Sequence, residues 1–207
     1  MTSAKRVVPL MALLSICAPV SPAGAQTKQA GSSVKVLVAY YSHTGHTRAL
    51  ANAVAEGARR IEGAGVTVKA VAEVKCPDLL GTDALVVGSP VYWSNMAGEV
   101  KTFFDRWTTE CGVLPPAFPM KDKIGGAFVT AGDVASGKEI TLMTILAAML
   151  GNRMIVLSEG QALGATATTG EGKTPLGEKD LEEGKQLGER VARVALEFKR
   201  GRHASGR

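Results

Sequence analysis

The residues best suited to chemistry form a short loop, Ser42-His43-Thr44-Gly45-His46-Thr47, between an apolar run and an amphipathic one. Ser42, Thr44 and Thr47 offer hydrogen-bond donors without charge, and Gly45 lets the backbone come close to a ligand. A helix that opens at the end of such a loop aims its first amides and the positive end of its dipole at one spot. That combination suits an anion, above all a phosphate monoester. A plain strand-to-helix turn with Thr47 as N-cap would use the same residues. No Gly-Lys-Ser/Thr follows and the three-glycine spacing is absent, so the loop is neither a Walker loop nor a dinucleotide fingerprint.

Two further segments carry chemistry. Gly88-Ser89-Pro90-Val91-Tyr92-Trp93-Ser94-Asn95-Met96-Ala97-Gly98 follows a short apolar run. Tyr92 and Trp93 lie past the end of that run, where they either expose an apolar patch or wait for something flat to cover them. They could also fold back onto a helix or pack in a subunit interface. Pro90 stiffens the segment, Val91 and Ser94 flank the aromatic pair, and Asn95 could bond the polar edge of a ring. Thr130-Ala131-Gly132-Asp133-Val134-Ala135-Ser136-Gly137 is a small-residue loop that suits close passage of backbone beside a ring or a sugar chain, or a flexible turn. A phosphate-type loop, an aromatic loop and a small-residue loop together describe a site for flavin mononucleotide (FMN).

These loops need elements to hold them at one rim. Val34 to Tyr41 reads as a continuous buried strand and Thr47 to Glu62 as a helix with Leu50, Val54, Ala58 and Ile61 on one face. Strands follow at Val66–Val71, Ala84–Gly88, Lys123–Thr130 and Met154–Leu157. Helices follow at Gly98–Glu110, Glu139–Leu150 and Glu178–Phe198, the last burying Leu181, Leu187, Val191 and Val194. The spans 115–119 and 160–177 read as loops. Strands alternating with helices imply an α/β fold with a parallel sheet and helices on both faces. Five strands in this order predict a doubly wound, flavodoxin-like sandwich with spatial order 2-1-3-4-5. In such a sheet the ligand sits at the switch point above strands one and three, where the first loop emerges.

Lys5 and Arg6 precede an apolar stretch from Val7 to Val20, and Ala23-Gly24-Ala25 completes the order of a secretory leader. We expect residues 1–25 to be a signal peptide, 33–199 the folded domain and 200–207 a disordered basic tail, with the protein exported to the periplasm and no membrane span in the mature chain. The net charge is +5, and loss of Lys5 and Arg6 makes it milder. No basic stripe with interleaved aromatics appears, so no nucleic-acid partner is expected. The histidines form no metal-type cluster, and no metal is expected. Export permits a disulfide between Cys76 and Cys111. The expected fold argues against one, with Cys76 just after the second strand at the ligand end and Cys111 at the foot of a descending helix, beyond disulfide reach. Two free thiols are therefore expected.

From Val34 to Phe198 the chain resembles the flavodoxin-like superfamily, and within it the WrbA-type NAD(P)H:quinone oxidoreductases. VLVAYYSHTGHTRALANAVAEGA is similar to that family's first strand, phosphate loop and helix. GSPVYWSNMAGEVKTFFDRW resembles its second loop and following helix, and TAGDVASGKEITLMTILAAML its third. GATATTGEGKTPLGEKDLEEGKQLGERVA resembles its C-terminal segment. The resemblance implies FMN as cofactor, with Ser42, His43, Thr44, Gly45, His46 and Thr47 on the phosphate. Pro90, Val91, Tyr92, Trp93, Ser94 and Asn95, with Thr130, Ala131, Gly132, Asp133 and Gly137, would hold the ring and ribityl chain. It implies NAD(P)H as donor, a quinone-like acceptor, a ping-pong cycle without a protein acid or base, and a homodimer or homotetramer. The chain departs from the family at Ala148-Met149-Leu150-Gly151, where members carry a histidine pair, and at Asp133–Ser136, where their loop is glycine-rich. A flavodoxin-type electron carrier and an FMN-free binding module are the alternative readings. The basic charge speaks against the carrier, since such carriers are typically acidic.

Overall fold

The computed structural model describes residues 33–159, 162–170 and 175–206; the expected leader and its cleavage point lie outside these. Val34–Tyr40 forms β1, whose β-branched and aliphatic side chains are buried on both faces, Lys35 alone reaching fully into solvent. β2 (Ala64–Ala70) alternates in burial as an edge strand does. β3 (Ala84–Tyr92) and β5 (Ile124–Ala131) make the centre, β5 being buried at every position. With β6 (Ile155–Val156) the parallel path runs β2-β1-β3-β5-β6. This is the expected order, with two short strands added: β4 (Asn95–Met96) pairs antiparallel with β3, and β7 (Ala165–Thr168) pairs parallel with β5.

Helices α1 (His46–Arg59) and α5 (Glu178–Ala204) cover one face of the sheet through Leu50, Val54, Leu187 and Val191. Helices α3 (Gly98–Thr109) and α4 (Lys138–Gly151) cover the other through Phe103, Trp107, Leu142 and Ile145. α1 and α5 approach until backbone meets backbone. A Cβ built on Gly188 would lie 1.8 Å from the Val54 carbonyl oxygen, and one on Gly57 would lie 1.8 Å from that of Lys185.

Four expectations need correction. Strand β3 does not stop at Gly88 but continues through Pro90 to Tyr92. Proline is tolerated because the Gly88 carbonyl accepts from Tyr41 N, so Pro90, two residues on, turns its nitrogen to the side where β1 has ended.

The last strand is also split. β6 is two residues long, the chain leaves the edge, and β7 rejoins β5 at Phe128 within a span expected to be loop. Ala165-Thr166-Ala167-Thr168 is small and polar, yet it alternates buried and half-buried with period two.

Cys76 and Cys111 are joined by a disulfide, with their Cα atoms 5.2 Å apart. The expectation failed because the crossover from β2 to β3 is short. A one-turn 3₁₀ helix (Val71–Glu73) and the five-residue α2 (Cys76–Leu80) carry the chain straight down to Thr82 and Asp83 at the foot of the sheet. Cys76 has thus already left the ligand rim and meets the end of α3.

The basic terminus is not a loose tail as far as Ala204, because α5 continues to that residue. Lys199 pairs with Asp83 at 2.9 Å and Arg202 with Asp122 at 3.5 Å, anchoring the last turns to loops at the foot of the sheet.

Candidate functional site

Register places the three loops together. Tyr40 pairs with Gly88, Pro90 with Thr130, and Ala131 with Thr168, so the chain leaves β1, β3, β5 and β7 along one rim. In the first loop Gly45, at φ 101°, is the N-cap of α1, in a left-handed conformation that glycine adopts without strain. Thr47 is therefore not the cap. The first turn of α1 holds no acidic residue, which leaves the positive end of its dipole uncompensated. The Ser42 hydroxyl oxygen accepts from the amides of Gly45 at 3.1 Å and Arg48 at 3.2 Å. One oxygen thus already sits where these amides converge, and a phosphate oxygen entering there would take its place. Thr44 Oγ1 and His46 Nδ1 are 2.8 Å apart, and His43 is exposed. Thr47 is drawn beneath the loop, where its buried hydroxyl bonds that of Thr130 at 2.8 Å and ties the first loop to the third.

The second loop is a hairpin. Val91 and Tyr92 pair with Met96 and Asn95, and Trp93 and Ser94 make the two-residue turn with φ of 52° and 59°. Positive φ at both positions matches the twist of a tight hairpin but is strained for residues with side chains. The hairpin is held from below. Buried Ser89 accepts from Ala97 N at 2.9 Å, and Asn95 Oδ1 accepts from Met96 N and from Thr144 Oγ1 on α4. Trp93 is 100% exposed and Tyr92 41%. The two aromatics therefore neither fold back onto a helix nor enter the core. Tyr92 meets Tyr41 edge-on, with ring centres 6.5 Å apart.

The third loop closes against the second. A Cβ on Gly137 (φ 84°) would lie 2.6 Å from Ser94 Cβ, so glycine is needed there both for its backbone angle and for space. Asp133 is exposed and turned into its own loop, its carboxylate facing Ala135 N at 3.4 Å and its carbonyl accepting from Ser136 Oγ at 2.7 Å. Ala131 receives Thr169 N at 2.8 Å. Gly132 lies beside Gly170, which carries the β7 end of the chain to the same rim. A cavity of about 560 Å³ opens beside the hairpin between α3 and α4, lined by Asn95, Met96, Phe104, Thr144 and Ala148.

Tyr41 and Glu99 belong to this rim and escaped sequence reasoning. The hydrogen bond to the Glu99 carboxylate, then burial, then the charge of Glu99 and the neighbouring Tyr92 push the Tyr41 hydroxyl up to about 12. A raised value means that the bond stabilises the fold fully below the ordinary tyrosine range and is lost as pH rises through about 12. In an alkaline absorbance titration, one tyrosine should ionise near 12 and return toward the ordinary value of about 10 in Glu99→Gln. An unchanged titration in that variant would exclude Glu99 as the cause.

Comparison with known proteins accords with this geometry. The family model described as flavodoxin matches residues 38–113, and that described as NADPH-dependent FMN reductase matches 76–169. A flavodoxin of Aquifex aeolicus is 36% identical over 165 residues, spanning 79% of this chain and 86% of the relative. The NAD(P)H dehydrogenase (quinone) of Rhodopseudomonas palustris is 32% identical over 200 residues, spanning 79% of this chain and 98% of the relative. The chain belongs to the flavodoxin-like superfamily. The crystal structure of a flavodoxin, WrbA-like protein from Agrobacterium tumefaciens superposes with a TM-score of 0.67 at 25% identity, covering 80% of this chain and 99% of that one. The features described above fit a flat ring bearing a phosphate. They comprise an acid-free helix start, a small-residue loop and a fully exposed Trp93.

Proposed function

We propose that this protein is an FMN-dependent oxidoreductase that takes two electrons from NAD(P)H and delivers them to a quinone-like acceptor by a ping-pong cycle. The observation that carries the reading is the meeting, on one rim, of the uncompensated start of α1 with a fully exposed Trp93. The quinone dehydrogenases among its relatives support the donor and the acceptor. FMN supplies the chemistry, accepting hydride and releasing an electron pair.

The protein binds, orients and shields. Residues Ser42 to Thr47 hold the phosphate, Tyr92 and Trp93 cover the ring, and Pro90, Val91, Ser94 and Asn95 shape the hairpin that carries them. Thr130 to Asp133 and Gly137 line the opposite side. Exposure of the hairpin tip leaves room for donor and acceptor to use the same face in turn. We place the mature protein in the periplasm, a reading supported by the disulfide. A homodimer or homotetramer is supported by Ile140, Met143 and Leu150, which α4 exposes on one stripe.

An FMN titration of the chain starting after Ala25 tests the reading. FMN should bind one-to-one and at least about 100-fold tighter than riboflavin, since two or more charge-assisted hydrogen bonds are lost with the phosphate. Trp93→Ala should weaken binding by about 1–3 kcal/mol and leave stability nearly unchanged, because the indole touches little else. Equal affinities for FMN and riboflavin would sink the phosphate assignment. The flavodoxin relative favours a second reading, an electron carrier without a substrate of its own. NAD(P)H that bleaches the bound flavin supports the enzyme, and flavin that only a protein partner can reduce supports the carrier.

A further inference from the structure

We propose that the foot of the sheet, opposite the rim, is a docking surface for an anionic phospholipid bilayer. Because β1, β3 and β5 run parallel and the helices descend between them, strands start and helices end at this foot. The side under β5, β6 and α5 is loaded with cations. Lys121 and Lys123 precede β5, Arg153 lies between α4 and β6, and Lys199, Arg200 and Arg202 occupy the last turns of α5. Lys199 already reaches Asp83 at the foot, so α5 carries Arg200 and Arg202 past it.

Acids do not balance this charge. Residues 82–84, 111–124, 152–155 and 195–204 hold these six cations against three acids, Asp83, Asp122 and Glu197. Lys199 takes Asp83 at 2.9 Å and Arg202 takes Asp122 at 3.5 Å. Lys123 Nζ donates instead to backbone carbonyls, those of Leu80, at 2.8 Å, and Thr82. The Arg153 guanidinium lies 3.8 Å over the Phe118 ring. Lys121 and Arg200 are exposed and enter none of the ion pairs among the described residues. Of the residues outside those described only Glu171 is acidic, and it follows Gly170 at the rim.

Charge alone would suit any polyanion; the neighbouring loop selects lipid. Leu114, Pro115, Pro116 and Ala117 make an exposed, uncharged turn, closed by Phe118 N on the Leu114 carbonyl at 3.1 Å. Pro119, which follows the turn, and the exposed Phe198 of α5 line one cavity of about 410 Å³ with Lys121, Lys199 and Arg202. Apolar side chains flanked by cations match a bilayer surface, where headgroup phosphates meet the cations and the acyl boundary takes the apolar tip. A nucleic-acid backbone has no place for Leu114 and its prolines. β5 runs eight residues from foot to rim, about 26 Å, so a molecule standing on its foot turns the rim to the water on the far side.

The test uses the mature chain starting after Ala25, because an apolar leader would enter lipid by itself. It should sediment with vesicles of about three parts phosphatidylcholine to one of phosphatidylglycerol, not with phosphatidylcholine alone, and less as salt rises. Lys121→Gln and Arg200→Gln should each weaken binding about fivefold and together about 25-fold, at about 1 kcal/mol per charge. Leu114→Ser should weaken it at least about fivefold and leave binding to poly-glutamate unchanged. All three side chains are exposed, so folding is spared. In the bound protein iodide should still quench Trp93, the exposed one of the two tryptophans, and brominated lipid should not. Equal binding to neutral vesicles, no binding to anionic ones, unaltered affinity in the double variant, or quenching of Trp93 by brominated lipid would each overturn the inference. Poly-glutamate held as tightly as the anionic vesicles would overturn it in favour of an acidic protein. FMN titration reports the rim and should be the same in every variant, so flavin binding and lipid docking can fail separately.

Discussion

Replacing Gly188 with alanine is expected to destabilise the fold by about 3 kcal/mol or more, at the upper end of what overpacking costs. The new methyl would lie 1.8 Å from the Val54 carbonyl oxygen, 2.7 Å from its carbon and 3.0 Å from Ala58 N, all backbone atoms that cannot rotate aside. The helices must separate, and separation uncovers Leu50, Val54, Leu187 and Val191 together. A typical domain is stable by only about 5–15 kcal/mol, so the loss is a large share of the total. Gly201→Ala is the control, because nothing lies within 4 Å of a Cβ there. That site is an exposed helix interior, where alanine should be neutral or stabilising by up to about 1 kcal/mol. Denaturant unfolding of the two variants separates the cases, and equal midpoints would refute close helix contact at Gly188.

Breaking the disulfide should have an effect of the same order. The bond joins residues 35 apart in sequence, a loop for which the chain-entropy account gives about 4 kcal/mol. In a domain of this size that corresponds to a melting temperature lower by roughly 8–16 °C for Cys111→Ser or for the reduced protein. Thiol titration of the denatured, unreduced chain starting after Ala25 should find neither Cys76 nor Cys111 free. Two reactive thiols there would restore the original expectation. FMN affinity should be spared, since α2 and the end of α3 lie at the foot of the sheet and the three loops at its rim.

How much could be read in advance followed from how each residue's signal is made. Buried parallel strands such as β1 and β5 are continuous apolar runs, and helices such as α1 carry their 3.6-residue period openly, so sheet order and both faces were legible. β7 was not, because Ala and Thr alternate there without bulk. The disulfide was missed for another reason: strand order does not say how steeply a crossover descends. Within the site, Gly45 and Trp93 stood out by type. The role of Thr47 did not, since its hydroxyl turns inward to Thr130. Only the packing of side chains decides such directions.

The broken last strand gives the molecule a place to grow. β6 holds the foot of β5 and β7 holds its upper half, each by its own backbone pairing. The connection between them ends at Gly164, pressed against the Ala127 carbonyl so closely that a Cβ would lie 2.1 Å from it. Both anchors are independent of how long the connection is. Loop length adds only slowly to the entropy of closure, so a reporter peptide or a docking module grafted at this point should leave the rim's geometry as it is.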